Sequence, residues 1–181
     1  MRTLEQFVND RLKSSFDEFQ QSSIGTNITE LDQYEKTLIY HYTIGGYEDL
    51  NENLRDNKDD EYEVHLNNAL EKLPDFKDLV FRGRKLTLKQ LQIYKDAEKN
   101  NTDIIYKSFL STSTSSAVAN LFGNTIFIIK SKTGKNIEAL SYYGINSQNE
   151  REVLFKSKTK FKVLEIKKVN DYFEITLKET T

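Results

Sequence analysis

The sequence of 181 residues predicts an α+β fold, with helices in its first part and strands in its second. In residues 1–77 the apolar side chains recur every three or four positions, as on one face of a helix. From residue 78 onward, short apolar runs alternate with polar turns, which is typical of strands. Pro74, the one proline of the chain, stands where the first pattern ends. We therefore expect one domain, 1–181, with a helical part (1–77) and a mostly β part (78–181).

Four helical stretches are predicted in the first part. The first carries an apolar stripe formed by Leu4, Phe7, Val8, Leu12, Phe16 and Phe19. After a polar break, Thr29 and Asp32 resemble a capping box for a second helix that extends to Tyr42. The residues YEDLNENLR, which follow two glycines, form a short third helix. A fourth stripe begins at Tyr62 and ends before Pro74.

The second part begins with a predicted strand in DLVFRG, at residues 78–83. Thr87 is then expected to cap a helix through Leu88, Leu91 and Tyr94. The remaining predicted strands have the sequences YKSFLSTS, TIFIIK, NIEAL, EVLF, KFKVLEI and YFEITL. The order of helices first and strands later favours an α+β fold over a doubly wound one.

Composition excludes several classes of protein and site. The net charge is −2 with both signs mixed, which does not indicate a general binder of nucleic acid or of membrane surfaces. The chain has no cysteine, so thiol catalysis, disulfides and cysteine-based zinc sites are excluded. His41 and His65 stand on separate segments, and we expect no metal site. No apolar run is long enough to span a bilayer, and the N-terminal residues lack a signal core, so we expect a soluble chain without a signal peptide.

Three short polar elements lie on or beside predicted strands. Arg82 ends the first strand, Ser111-Thr112-Ser113 follows SFL, and Glu150 and Glu152 open the strand EVLF. On a strand, the two glutamates would share a face. Each element alone is common, because an E-x-E pair is usually a solvated strand face and S-T-S occurs here within a longer polar run.

Taken together and in this order, the elements resemble the Arg–Ser–Glu layout of the ADP-ribosyltransferase exotoxins, in their E-x-E branch. The chain is similar to the catalytic domains of the actin-modifying binary toxins and to the C3-type enzymes. YTIGGYEDLNENLR (42–55) also looks like the helix region that precedes the arginine strand in that family. The resemblance covers about residues 40–165. It implies N-terminal helices packed on a mixed β-sandwich of the mono-ADP-ribosyltransferase type, and NAD⁺ as the substrate without a metal.

The resemblance also assigns roles on the NAD⁺ side. Arg82 would anchor the diphosphate through charge-assisted bonds, as a guanidinium is suited to do. Glu152 would stabilise the positive charge that develops when the bond between ribose and nicotinamide breaks, and would bind the ribose 2′-hydroxyl. Ser111 would hold Glu152 in place, with Thr112 and Ser113 shaping the same pocket.

Two further positions complete the expected dinucleotide site. Gly83 would allow the backbone to approach the nicotinamide amide, and the alternative is that it simply ends the strand. Phe122 stands where the family places an aromatic residue on nicotinamide, and a core position explains it equally well. Family members carry further Arg or Asn residues where this chain has Gly83, Ser108 and Thr125, so we expect weaker or differently distributed contacts to NAD⁺.

Glu150 would orient the acceptor and take its proton, and a glutamate at this position favours arginine as the acceptor. Some members carry an acceptor-contacting aromatic residue where this chain has Ser147. Tyr142 and Tyr143 would replace it if their loop folds back. The expected enzyme is thus a mono-ADP-ribosyltransferase that modifies protein arginine, acting as a toxin or effector in the cytoplasm of its producer or of a target cell.

Other interpretations stay open at this point. The acceptor could be a nucleic acid or a small molecule in a toxin–antitoxin or phage-defence setting, and an antitoxin or a delivery partner could bind the chain. A groove lined by Lys107, Lys130, Lys132 and Lys135 would serve a nucleic acid, although lysines on strands usually just face water. A non-enzymatic α+β binding module with a chance motif is the third interpretation.

Overall fold

The computed structural model describes residues 1–119, 123–144 and 149–180, and the predicted order of helices before strands is confirmed. The helices are α1 (Leu4–Arg11), α2 (Lys13–Gln20), α3 (Gln33–His41), α4 (Tyr47–Arg55), α5 (Glu61–Lys72), α6 (Leu88–Asn100) and α7 (Ser116–Ala119). A π-helical turn covers Tyr42–Gly46 and a 3₁₀ turn covers Glu138–Leu140. The strands are β1 (Asp75–Phe76), β2 (Leu79–Arg84), β3 (Asp103–Tyr106), β4 (Leu110–Ser113), β5 (Thr125–Lys130), β6 (Gly134–Asn136), β7 (Glu152–Phe155), β8 (Thr159–Val169) and β9 (Tyr172–Glu179).

The first helical stripe is divided between α1 and α2, so its interpretation as one helix is wrong. Leu12 leaves the helical conformation with φ −125° and ψ 20°. The two helices make contacts with different residues, because Phe7 of α1 packs against Tyr62 whereas the hydroxyl of Ser15 of α2 lies 2.8 Å from Nδ1 of His41. Contacts across the fold therefore override a helical period that runs through both segments.

The helix caps were predicted with mixed success. Thr87 caps α6 in a full capping box with Gln90, as predicted. The cap of α3 is Asp32 in a capping box with Glu35, so the assignment of Thr29 to the cap position is wrong. Glutamate returns a hydrogen bond to the cap backbone better than the aspartate that Thr29 would have used.

The sheet is mixed, in the strand order β1-β6-β7-β4-β2-β5-β9-β8-β3. Neighbouring strands are antiparallel except for the parallel pair of β5 and β9. Strands β2 and β4 meet through one pair, Phe81 with Ser113, so the sheet consists of two halves joined at this point. The predicted strand NIEAL is wrong in part, since β6 ends at Asn136 and a 3₁₀ turn follows.

Two apolar cores explain the layering. One lies between the two halves of the sheet and contains Val153 and Phe155 of β7 with Phe127 of β5. The other joins the helical part to the sheet and contains Leu154. Strand β7 is buried on both faces, which agrees with the continuous apolar run that follows Glu152 in its sequence. Among the described residues, no helix has the length and apolar character that crossing a bilayer requires.

Candidate active site

A cleft of about 1120 Å³ opens between the helical part and the sheet. The predicted site residues that line it are Arg82, Gly83, Ser111, Thr112, Ser113, Glu150 and Glu152. Phe122 and Ser147 lie outside the described residues. Three polar elements that are far apart in the sequence are thus brought to one cavity of a size suited to a small-molecule ligand.

Glu152 is the buried carboxylate of the cleft. It begins β7, with only 6% of its surface exposed. Burial raises the pKa of Glu152 from 4.5 to about 7, against the opposing effects of a hydrogen bond from the Ser111 side chain and the positive charge of Arg82. In the antiparallel pair of β4 and β7, Ser111 faces Leu154, so it is a diagonal neighbour of Glu152 on the same face.

Glu150 lies beside the strand and not in it, so the interpretation that both glutamates share one strand face is wrong. Strand β7 begins at Glu152, and Arg151 has a positive φ of 48°. The backbone therefore turns between the two acids, which leaves Glu150 exposed and Glu152 buried while both line the cleft. A left-handed arginine is uncommon and has no clear signal in the sequence.

Ser113 and Thr112 hold the acidic segment to β4. The hydroxyl of Ser113 donates to the carbonyl oxygen of Glu150 at 2.6 Å. The backbone N–H of Thr114 donates to the carbonyl oxygen of Arg151. The hydroxyl of Thr112 donates to the carbonyl oxygen of Val153, also at 2.6 Å. The hydroxyls of both predicted pocket residues are thus engaged in hydrogen bonds that position the strand carrying Glu152.

Arg82 reaches across from β2 to the S-T-S strand. Its Nη1 donates to the carbonyl oxygen of Ser111, and its buried Nε has no hydrogen-bond partner in the described part of the chain. Burial lowers the pKa of Arg82, which is partly offset by the nearby Tyr106, Tyr42 and Glu152. A buried N–H donor without a partner is costly, so this guanidinium is prepared for an acceptor that enters the cleft.

The helical wall of the cleft depends on Asn51 of α4. Its side-chain nitrogen donates to the hydroxyl of Tyr42 at 3.0 Å, and its side-chain oxygen accepts the backbone N–H of Phe109 at 3.0 Å. The ring of Tyr42 in turn meets that of Phe109 edge-on. Asn51 therefore fixes the loop that leads into β4.

Sequence reasoning assigned no role to Asn51, and it overlooked Arg84, which also lines the cleft. Arg84 stands two residues after Arg82 on one strand, and that spacing could have placed both side chains on one face. Asn51 has no such local signal, because its partners Tyr42 and Phe109 meet it only in the folded chain.

Aromatic side chains border the acceptor side. Tyr143 lines the cleft together with Tyr47 and Glu150. Burial raises the pKa of Tyr47, and the charges of Glu48, Tyr143 and Glu150 raise it further, so these groups lie near one another. Tyr142, in contrast, packs its ring edge-on against Tyr40.

The predicted lysine groove does not form. Lys135 is buried, with its Nζ bound to the carbonyl oxygen of Leu73 and, at 2.8 Å, to Asp75. Lys107 lines the cleft, while Lys130 and Lys132 do not. Within the described ranges, no group of three His, Asp or Glu side chains is arranged to hold a metal ion.

Comparisons with known proteins agree on one family. The family model for NAD:arginine ADP-ribosyltransferase (ART) matches residues 29–181. A protein of Mycobacterium avium (strain 104), named as the NAD(+)–arginine ADP-ribosyltransferase Mav, is 36% identical over 141 residues, which are 74% of this chain and 16% of Mav. Vis of Vibrio splendidus (strain 12B01), named likewise, is 25% identical over 184 residues, 90% of this chain and 71% of Vis. The chain thus spans about a sixth of the length of Mav.

Solved structures agree on the fold. Exoenzyme S from Pseudomonas aeruginosa, in complex with human 14-3-3 protein beta and bound to carba-NAD, has a TM-score of 0.79 and 21% identity, covering 98% of this chain and 87% of that one. Vis in complex with agmatine has a TM-score of 0.67 and 22% identity, covering 100% and 87%. The α+β architecture and the resemblance predicted from the sequence are confirmed. The chain belongs to the NAD:arginine ADP-ribosyltransferase family.

Proposed function

We propose that this chain is a mono-ADP-ribosyltransferase that cleaves NAD⁺ and transfers ADP-ribose to arginine side chains of a protein, as a toxin or effector. The observation that carries the proposal is Glu152, a carboxylate buried in a cleft, held by Ser111 and facing the charge of Arg82. A raised carboxylate pKa in a cavity is typical of a catalytic group. Membership of the family supports the same reaction.

On the NAD⁺ side, Arg82 binds the diphosphate through its guanidinium, whose Nε has no hydrogen-bond partner in the described part of the chain. The cationic nicotinamide ribose then lies against Glu152. Its positive charge lowers the pKa of the carboxyl, so that the bound state is ionised near neutral pH. The bond between C1′ and the nicotinamide nitrogen breaks with its electron pair leaving on nicotinamide. The carboxylate stabilises the cationic sugar that remains.

On the acceptor side, Glu150 receives the guanidinium. Its exposed position at the cleft lets a macromolecular side chain approach, while Glu152 stays covered. A guanidinium nitrogen attacks C1′ and its proton passes to Glu150. A protonated guanidinium is a poor nucleophile, with a pKa above about 12, so a neighbouring carboxylate is needed. Tyr47 and Tyr143 offer aromatic faces to the same cation.

The solved relatives support both substrates. Exoenzyme S binds carba-NAD, and Vis binds agmatine, which carries a guanidinium. The corresponding ligands for this chain are NAD⁺ and an arginine side chain. We also propose that 1–181 acts as one catalytic unit, since Asn51 and Arg55 of the helical part line the cleft together with Arg82 and Glu152.

The reaction is proposed for a cytoplasm, where NAD⁺ is available. An antitoxin or a delivery partner stays a prediction, and nucleic acid as the acceptor is an outcome of the following test.

The test uses NAD⁺ labelled in its adenylate half. The wild type and the Glu152→Gln variant are incubated with a cell lysate, and the products are treated with either protease or nuclease. We expect label that protease removes, nuclease leaves and mass spectrometry assigns to arginine. Label that only nuclease removes would replace protein by nucleic acid as the acceptor. If the wild type releases no nicotinamide, the proposed reaction is refuted and the interpretation as a non-enzymatic binding module remains.

A further inference from the structure

Arg84 presents a second guanidinium to the cleft from the strand that carries Arg82. Residues two apart on a strand point to the same face, with their Cα atoms about 6.6 Å apart. Both side chains are half-buried and both line the cleft. In the antiparallel pair with β5, Arg82 faces Phe127 and Arg84 faces Thr125. The position across from Arg84 is therefore occupied by a buried, uncharged side chain.

Among the described residues, neither arginine forms a salt bridge. Across the described ranges, no Asp or Glu oxygen lies within 4.0 Å of either guanidinium. Arg84 also makes no side-chain hydrogen bond within that part of the chain. Two half-buried like charges side by side are unfavourable unless a group outside the chain compensates them.

The electrostatics of the neighbouring groups agree with this proximity. Burial is the main cause that lowers the pKa of Arg82, and the charge of Arg84 lowers it further. Burial raises the pKa of Tyr106 well above its usual range, while Arg82 and Arg84 act against that rise. The hydroxyls of Tyr106 and Tyr94 lie 2.6 Å apart. Arg84 is thus surrounded by another cation and by neutral phenols.

We infer that Arg84 is a second diphosphate-binding residue, so that Arg82 and Arg84 each neutralise one of the two phosphates of NAD⁺. This inference rests on the proposed function. It goes beyond the single arginine of the Arg–Ser–Glu pattern, because it places the second cation two residues further along β2. The diphosphate of NAD⁺ carries one negative charge on each phosphate, and it matches two guanidinium groups that form no salt bridge within the described part of the chain.

The matched control is the next residue of the chain. Lys85 carries the same charge one position away, is exposed and does not line the cleft. Lys85→Gln therefore removes one positive charge from the same segment without touching the cavity. Arg84→Gln removes the charge inside the cavity. Arg84→Lys keeps a positive charge but loses the planar guanidinium, which can donate two parallel hydrogen bonds.

The first experiment uses calorimetry to measure the binding of ADP, which carries a diphosphate but lacks the bond to nicotinamide. The binding of adenosine, which has no phosphate, is measured in the same way. We expect Arg84→Gln to weaken ADP binding about tenfold, as for one charge-assisted contact of about 1.4 kcal/mol, and to leave adenosine binding unchanged. Arg84→Lys should recover part of the loss, and Lys85→Gln should bind ADP like the wild type.

The second measurement is turnover. Because Arg84 binds the diphosphate in both the ground state and the transition state, Arg84→Gln should raise KM for NAD⁺ about tenfold and change kcat less than threefold. ADP binding that is unchanged in Arg84→Gln, or weakened equally in Lys85→Gln, would overturn the inference. The ADP arm needs no catalysis, so a wild type that binds ADP without releasing nicotinamide would refute the proposed reaction and still test Arg84.

Discussion

Replacing Glu152 by Gln should stabilise the ligand-free protein at alkaline pH. Glutamine keeps the shape of the side chain and can still accept the hydrogen bond from Ser111, but it has no charge to bury. Burial is the first cause of the raised pKa of Glu152, so the ionised form is the one that the fold disfavours. The change therefore removes a penalty and leaves the packing as it is.

The magnitude follows from the pKa of Glu152, which rises from 4.5 to about 7. At about 1.4 kcal/mol for each tenfold change in an equilibrium constant, full ionisation of Glu152 in the folded protein costs about 3 kcal/mol. The folded state holds this proton more tightly than the unfolded state. The contribution of Glu152 to the free energy of unfolding is thus fully present below pH 4.5, and it is lost as the pH rises through about 7.

Urea unfolding at pH 4.5 and pH 8 measures the effect. Glu152→Gln and the wild type should have similar free energies of unfolding at pH 4.5. At pH 8 the variant should be more stable by about 3 kcal/mol. Glu150→Gln is the control, because Glu150 is exposed, and it should change the stability by less than about 1 kcal/mol at either pH. A difference that does not depend on pH, or a larger effect at Glu150, would refute the reasoning.

Three further predictions concern the site. Glu150→Gln should lower transfer to arginine about a hundredfold while NAD⁺ hydrolysis stays within a few-fold, and equal loss of both in parallel assays would contradict the separate roles of the acids. Ser111→Ala removes a hydrogen bond that lowers the pKa of Glu152, so the acidic limb of kcat/KM for nicotinamide release should move to higher pH; an unmoved profile would contradict this. Asn51→Ala leaves the buried N–H of Phe109 without its acceptor and should cost about 1–3 kcal/mol in urea unfolding, whereas no loss would mean that water replaces the amide.

The local signals of the sequence predicted much of the fold. Thr87 and Pro74 marked a helix start and a helix end, because capping and the missing proline N–H act within a few residues. The division between α1 and α2 at Leu12 escaped prediction, since it depends on which distant surfaces each helix covers. Local periodicity carries no information about such partners.

The identity of the site residues was readable and their geometry was not. The register that sets Ser111 diagonal to Glu152 joins strands about forty residues apart, and no turn between them fixes it. The left-handed Arg151, which separates an exposed acid from a buried one, has no signal in its residue type. The position of Arg84 in the cleft could have been predicted, because its spacing from Arg82 alone places the two on one strand face.

The most direct test of the proposed reaction is a mixture of the protein, NAD⁺ and agmatine followed by liquid chromatography and mass spectrometry. We predict that ADP-ribosyl-agmatine appears together with nicotinamide, that nicotinamide equals the sum of this adduct and free ADP-ribose, and that Glu152→Gln forms none of the three. NAD⁺ that stays intact with the wild type, or nicotinamide released without any adduct on the guanidinium, would contradict an arginine-directed transferase.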